Sequence, residues 1–148
     1  MSRFLAALAL TALLAAGVGC SRAQRNEDFV PKEDAGRAAL DAYLRAWSRG
    51  QTGQAVPDTS PPVAAVDELS QHKGRTLKKY TILGPTPADA PLCFAVQLSL
   101  GNPDQEVRER YVVVGLDPLW VWRYDDYLRI AHWSHPMPAD QKAAPPKK

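Results

Sequence analysis

The spacing of the apolar segments in the second half of the chain is the strongest constraint on its fold. Four segments rich in Leu, Val and aromatic residues, at 76–83, 92–100, 107–114 and 119–124, are separated by short linkers that contain Gly, Pro and Asp. Linkers of this length cannot hold a crossover helix, so consecutive strands must run antiparallel. The sequence therefore predicts an antiparallel sheet in this half of the chain.

One amphipathic helix is predicted ahead of the sheet. Its apolar residues recur at i, i+3, i+4 and i+7, the spacing of one helix face, and they are Leu40, Tyr43, Leu44 and Trp47. Asp34 is expected to cap the start of this helix and Gly50 to end it. A short edge strand at 63–66 and a helical turn at 67–72 are also expected.

The strand at 92–100 predicts which face of the sheet is buried. Its even-numbered residues are bulky and apolar, whereas Cys93, Ala95, Gln97 and Ser99 are small or polar. One face should therefore pack on the helix. The expected core consists of Leu40, Tyr43, Leu44 and Trp47 against Phe94, Val96, Leu98, Tyr111 and Val113.

These elements define an α+β fold, with one long N-terminal helix packed on a curved antiparallel sheet of four to five strands. This order of elements over residues 34–125 resembles the nuclear transport factor 2-like (cystatin-like) family. The resemblance implies a sheet that wraps the helix into a cone, with an open end that often forms a ligand pocket. Some relatives, such as ketosteroid isomerase and scytalone dehydratase, are enzymes with an Asp or His base inside the cone. Many others bind ligands or proteins without catalysis.

The first twenty residues predict where the protein resides. Arg3 precedes an unbroken apolar run that ends in Gly-Val-Gly-Cys20, the architecture of a secretory signal peptide. The run is shorter than the roughly 20 residues that span a bilayer. The segment resembles a bacterial lipoprotein signal, which implies cleavage before Cys20, acylation of Cys20 and an outer-membrane lipoprotein facing the periplasm. Gly17 stands where that family prefers Leu, so ordinary cleavage after Ala23, which gives a soluble secreted protein, is the alternative.

The chain therefore divides into four parts: a signal peptide at 1–19, a lipidated cysteine and flexible tether at 20–33, a folded domain at 34–135, and a disordered tail at 136–148. Lys and Arg number 18 against 16 Asp and Glu, and no basic stripe alternates with aromatic residues, so nucleic-acid binding is not expected. With Cys20 acylated, Cys93 is the only remaining thiol and no internal disulfide is expected.

Asp67 is the strongest candidate for a catalytic base, with His72 nearby. The enzyme interpretation places Asp67 with Tyr80 or Tyr111 in the cone, as in isomerase or dehydratase relatives. The competing interpretation makes Asp67 the cap of the helical turn that follows it, which is a usual role for Asp. We expect the cap, and no catalytic residue.

Two further clusters are candidate sites. His132 and His135 lie three residues apart behind Asp125 and Asp126, but Pro136 follows and no third ligand is fixed, so neither a metal nor any cofactor is expected. Trp120, Trp122 and Tyr124 fall on one face of the last strand. They are either a surface that stacks on a sugar or another planar ligand, or aromatic residues that close the core on the helix.

The small side chains of the 92–100 strand leave room for a second copy of the chain, so a homodimer is an alternative to a covered face. Cys93 and Ser99 are not expected to act as nucleophiles, because no histidine is placed near them. The sequence thus predicts a lipid-anchored cell-envelope protein with a non-enzymatic domain that binds a protein or small ligand. The alternatives are a small pocket enzyme of the isomerase or dehydratase type and an aromatic-lined carbohydrate binder.

Overall fold

The computed structural model describes residues 29–131. The signal peptide, Cys20, the alternative cleavage site, most of the tether, the two histidines at 132 and 135 and the tail lie outside this range. The elements in chain order are α1 (Glu33–Ser48), β1 (Ala55–Val56), β2 (Val63–Val66), α2 (Glu68–Gln71), β3 (Thr76–Pro85), β4 (Cys93–Gly101), β5 (Gln105–Val114), β6 (Leu119–Arg123) and α3 (Tyr124–Ala131). The class is α+β, as the sequence predicts.

One curled sheet contains six strands in the order β1-β2-β6-β5-β4-β3. The strands from β3 to β6 form the antiparallel meander that the short linkers predict. However, β2 pairs with β6 in parallel, with Val63 opposite Leu119 and Val66 opposite Trp122. The prediction of a purely antiparallel sheet of four to five strands is therefore wrong. Short linkers constrain only consecutive strands, whereas β2 and β6 are joined by the whole meander, which is long enough for a parallel pairing.

The helix α1 covers the concave face of the sheet, which we call the inner face. All nine predicted core residues belong to a single buried cluster, and Leu40, Leu44, Phe94, Val96 and Leu98 are completely inaccessible to solvent. The alternation predicted for the strand at 92–100 is confirmed, since Cys93 lies apart from this cluster on the opposite, outer face. The inner side of the curled sheet is thus filled by the side chains of its own helix.

The ends of α1 are built differently from one another. Lys32 occupies the N-cap position without a side-chain cap, and Asp34 lies in the first turn, so the prediction that Asp34 caps the helix is wrong. In the first turn its carboxylate still stabilises the positive end of the helix dipole. At the other end Gly50 adopts φ +79° and donates to the Trp47 carbonyl, while Gln51 donates to the Ala46 carbonyl. This is a Schellman motif, and glycine favours its left-handed position, as expected at the end of the helix.

The helix α3 was not predicted. It follows β6 directly and contributes Tyr124, Tyr127 and Leu128 to a second, smaller cluster with Cys93 and Val112 on the outer face. Acidic residues lie in its first turn and Arg129 lies in its last turn, which is the favourable arrangement for the helix dipole. The outer face is therefore partly covered by α3.

Candidate functional site

Asp67 occupies the junction between β2 and α2, where the chain changes from strand to helix. Its backbone is extended, with φ −151° and ψ 99°. Its Oδ1 accepts hydrogen bonds from the backbone N–H groups of Leu69, at 2.9 Å, and Ser70, at 3.3 Å. The predicted role of Asp67 as a helix cap is therefore confirmed.

The second carboxylate oxygen of Asp67 is held by two tyrosines. The hydroxyl of Tyr43, from α1, donates to Oδ2 at 2.7 Å, and the hydroxyl of Tyr111, from β5, donates to the same oxygen at 2.8 Å. The sequence suggested Tyr111 or Tyr80 as partners. Tyr80 instead donates to Asp41 at 2.8 Å, and the sequence assigned Tyr43 only to the core.

Burial changes the acid–base properties of this group. Removal from water raises the pKa of Asp67 above its usual 3.8, although the hydrogen bonds from Tyr43 and Tyr111 and the nearby Arg123 act in the opposite direction. Burial and the adjacent carboxylate also raise the pKa of Tyr111 and of Tyr43 well above the usual value of 10.0. Both phenols therefore remain protonated and act as donors over the whole physiological range.

The pKa of Asp67 is shifted, as it is in many catalytic acids and bases, but its carboxylate is not accessible to solvent. A carboxylate has about four acceptor positions, and four donors already occupy them. Its exposed fraction is 1%. A surface cavity of about 350 Å³ lies next to it, lined by Trp47, Ser70 and His72 among others, and Asp67 is not among the residues that line it. Asp67 and His72 therefore do not share a pocket.

A cluster of charged groups surrounds the buried Asp67, and no pattern in the sequence indicated it. Arg123, at the end of β6, places its Nε 3.8 Å from Asp67 Oδ1 and 3.1 Å from Asp126 Oδ2. Asp126, with an exposed fraction of 3%, also accepts from the backbone N–H of Glu68 at 3.0 Å and from Arg129 at 3.2 Å. These bonds tie β6, α2 and α3 together, so the contacts of Asp126 are structural and leave little of its carboxylate for a ligand.

The aromatic residues of the last strand divide between two environments. Leu119 and Val121 point inward into the core, whereas Trp120 and Trp122 lie on the outer face and are half-buried. The two indole rings stack with centroids 5.9 Å apart and planes inclined by 29°. The alternative interpretation, in which the two tryptophans close the core on α1, is therefore wrong. Neighbouring side chains of a strand point to opposite faces of the sheet, and Leu119 and Val121 already occupy the face that packs on α1.

Tyr124 has a different position from the two tryptophans. It is the first residue of α3 rather than a residue of the strand, and it is 7% exposed. The guanidinium of Arg110 lies 3.8 Å from the centre of its ring, within the range of a cation–π contact. The two tryptophans are therefore more accessible than Tyr124, although Trp122 also packs against the outer-face cluster that contains Tyr124.

The other candidate on the outer face, Cys93, has little chemical reactivity. Cys93 is 3% exposed, and burial raises the pKa of its thiol, so it remains an unreactive thiol at neutral pH. Residues 29–131 contain no group of three His, Cys, Asp or Glu side chains placed to hold a metal ion. The two histidines of the candidate metal set fall outside that range.

Comparisons with protein-family models, with curated proteins and with solved structures found no match for this chain. Among residues 29–131, no helix is both long enough and apolar enough to cross a membrane.

Proposed function

We propose that this is a lipid-anchored protein of the cell envelope whose domain binds a partner through the outer face of its sheet and performs no catalysis. The observation that carries the proposal is the stacked pair of Trp120 and Trp122, which stays half-exposed while Tyr124, the next aromatic residue along the chain, is buried. Indole rings offer a large apolar area together with one hydrogen-bond donor, and they are common in binding surfaces.

The proposed fold family is the nuclear transport factor 2-like one, with one helix held inside a curled sheet. The position of α1 against β3, β5 and β6 supports this assignment. The parallel strand β2 and the filled inner face distinguish this chain from a relative with an open cone. Binding at the outer face is consistent with an inner face that is occupied by core side chains.

The anchor is proposed to be the acylated Cys20, with cleavage after Gly19 and a periplasmic, outer-membrane location. Its support is the apolar run that ends in Gly-Val-Gly-Cys20. Two or three acyl chains would hold a small domain on a membrane, since each buried methylene contributes about 0.8 kcal/mol. No cofactor forms part of the proposal.

The pocket-enzyme alternative is favoured by one observation, the buried Asp67 with its raised pKa and its bond from Tyr111. Perturbed acids of this kind are common at active sites. We favour a structural role because all four acceptor positions of Asp67 are filled by groups of the protein itself. A general base must have an oxygen within reach of the substrate proton.

The carbohydrate-binding alternative is favoured by the exposure of the stacked tryptophans, because sugars bind on the faces of aromatic rings. It shares its surface with the main proposal and differs in the nature of the partner. A homodimer through the outer face is a third use of the same surface.

Oxidative footprinting tests the binding surface without knowledge of the partner. Hydroxyl radicals would be generated once in intact cell envelopes and once with the purified protein in which the signal peptide and Cys20 are replaced by an initiating Met, in buffer without detergent, and modification would be measured by mass spectrometry. We expect Trp120 and Trp122 to be protected in the envelope, whereas Leu83, which is 50% exposed on the edge strand β3, is modified equally in both samples. Equal modification of the tryptophans in both samples would contradict the proposal.

The same samples test the anchor and the absence of catalysis. A diacylglyceryl adduct on Cys20 is expected, whereas a soluble chain that begins at Gln24 would refute lipidation. Labelling of carboxylates with a water-soluble carbodiimide should modify Asp104, whose side chain is 80% exposed, and spare Asp67. Labelling of Asp67 in the folded protein would show that reagents reach it and would favour the enzyme.

A further inference from the structure

We propose that the partner of the outer-face tryptophans is the surface of the membrane that holds the Cys20 anchor. In this arrangement an apolar edge, which consists of Phe29, Leu116, Trp120 and Trp122, lies against the lipid. The inference rests on the proposed function, because it requires both the acylated Cys20 and the role of the tryptophans as a binding surface.

The described chain begins directly at this apolar edge. The carbonyl of Phe29 accepts a hydrogen bond from the backbone N–H of Gly115 at 2.8 Å. Gly115 lies in the loop between β5 and β6, immediately before Leu116, and a Cβ atom built on it would lie 3.5 Å from the Trp120 ring. The segment that leads from the anchor is thus attached to the domain beside the stacked tryptophans.

The loop at this edge has a fixed backbone. Gly115 adopts φ +82°, and an added Cβ would come within 2.7 Å of the Pro118 carbonyl oxygen. Only glycine fits this conformation without strain. The loop therefore fixes the backbone immediately before Leu116, whose side chain is exposed to solvent.

The side chains at this edge are large, apolar and open to solvent. Phe29 is 45% exposed and Leu116 is 53% exposed. Trp120 and Trp122 are half-buried, with Trp122 packed in part against the outer-face cluster, and Asp117 is the acidic residue of the same loop. Apolar side chains flanked by tryptophan suit the boundary between lipid chains and headgroups, where indole rings are enriched.

The tether brings this edge to the membrane. Phe29 follows Cys20 closely in the sequence, so their Cα atoms can be at most about 30 Å apart. A short link converts docking into an intramolecular step at a high effective concentration, so a weakly binding patch suffices. The tether carries both Arg22 and Arg25 and the acidic pair Glu27 and Asp28, so apolar insertion rather than charge is expected to drive the contact.

Fluorescence quenching by brominated lipid tests this arrangement on the full-length lipidated protein. The protein, with Trp133 replaced by Phe, would be reconstituted into vesicles of phosphatidylcholine and phosphatidylglycerol in equal parts, with bromine on the upper acyl carbons. Bromine quenches only indoles that enter the lipid. We expect the brominated lipid to quench part of the tryptophan emission of the native protein. This quenched part should be absent from the double variant Trp120→Phe/Trp122→Phe. Emission from Trp47, which is 1% exposed, should remain and report the intact fold.

A pair of matched substitutions tests the apolar edge without changing the tryptophans that report the quenching. Leu116→Glu should lower the quenched fraction, whereas Leu83→Glu, at a similarly exposed leucine on β3, should leave it unchanged. Equal effects of the two substitutions would overturn the inference.

The remaining outcomes separate this inference from the function on which it rests. If Cys20 carries no acyl adduct, the proposed function itself fails. If the protein is acylated and floats with the vesicles but its tryptophans are not quenched, the membrane-docking inference alone fails. Soluble peptidoglycan fragments that change the emission of Trp120 and Trp122 without lipid quenching would overturn docking and identify a glycan partner.

Discussion

At the scale of single residues, Asp67 shows how one side chain serves several elements at once. It caps α2 with one oxygen and joins α1 to β5 through the phenols of Tyr43 and Tyr111 with the other. A buried carboxylate is unfavourable unless its acceptor positions are filled. Here they are filled by groups from α1, α2 and β5, so Asp67 fixes the positions of these three elements relative to one another.

Tyr111→Phe removes one of these donors without changing the packing of the ring. Hydrogen bonds to charged groups contribute about 1.5–3 kcal/mol, so we expect the free energy of unfolding to fall by that amount in urea denaturation. Tyr80→Phe is the matched control, because its hydroxyl donates to Asp41 in a part-buried site and its loss should cost about 1 kcal/mol or less. Equal losses of unfolding free energy for the two variants would mean that the hydrogen bond to Asp67 contributes no more to stability than the bond to Asp41.

The raised pKa of Asp67 predicts a definite dependence of stability on pH. Between the usual value of 3.8 and the raised value, the folded state binds more protons than the unfolded state, so the free energy of unfolding falls as pH rises through this window. A tenfold difference in proton affinity between the two states corresponds to about 1.4 kcal/mol. The difference between the native protein and Asp67→Asn, measured by urea denaturation from about pH 3 to pH 7, should therefore decrease with rising pH. A difference that increases would show that the four donors outweigh burial.

At the scale of elements, the packing of α1 on the sheet buries Trp47 and Tyr43, which are among the largest side chains of the core. Trp47 is 1% exposed and stacks at 6.3 Å from Tyr43. Trp47→Ala should cost about 3–5 kcal/mol, a large part of the ~5–15 kcal/mol typical of a small domain. Trp120→Ala on the outer face is the control and should cost much less. A loss below about 1 kcal/mol for Trp47→Ala would contradict the packing of α1 against the sheet.

The elements that could be predicted are those set by local pattern. The helical spacing of the apolar residues from Leu40 to Trp47 indicates one buried face of α1. The alternation from Leu92 to Leu100 indicates one buried face of β4, and the two faces meet in the core. The strand at 63–66 was predicted, but as an edge strand, whereas β2 lies between β1 and β6. Its parallel pairing with β6 was missed because that pairing depends on contacts more than fifty residues away. The helix α3 was missed for a related reason, since its residue Asp126 accepts a hydrogen bond from the backbone of Glu68, which is 58 positions away.

The candidate site was predictable to a similar extent. Asp before a helical turn indicates a cap, and that role is confirmed for Asp67. Its bond to Tyr43 joins residues 24 positions apart, and no spacing rule connects them. The outward direction of Trp120 followed from strand alternation only once the neighbouring Val121 was known to be buried.

At the scale of the whole molecule, the proposed anchor and tether would connect the location of the protein to the orientation of its domain. Residues 21–28 connect the proposed anchor to a domain that begins at its own apolar edge. A short tether raises the effective concentration of that edge at the membrane. The length of the tether, and not only its presence, should therefore control how the domain is held.

Lengthening the tether gives a prediction for the complete lipidated protein. An insertion of Gly and Ser residues that trebles the tether lowers the effective concentration by about fivefold, because it falls with roughly the −3/2 power of length. The ratio of lipid-quenched to unquenched emission from Trp120 and Trp122 should fall by a similar factor, while the protein still floats with the vesicles. Replacement of residues 21–28 by Gly and Ser at constant length is the control and should leave the ratio unchanged. If the lengthened protein keeps its original ratio, then docking does not depend on the tether, and the edge of the domain is held at the membrane by its own affinity or by another partner.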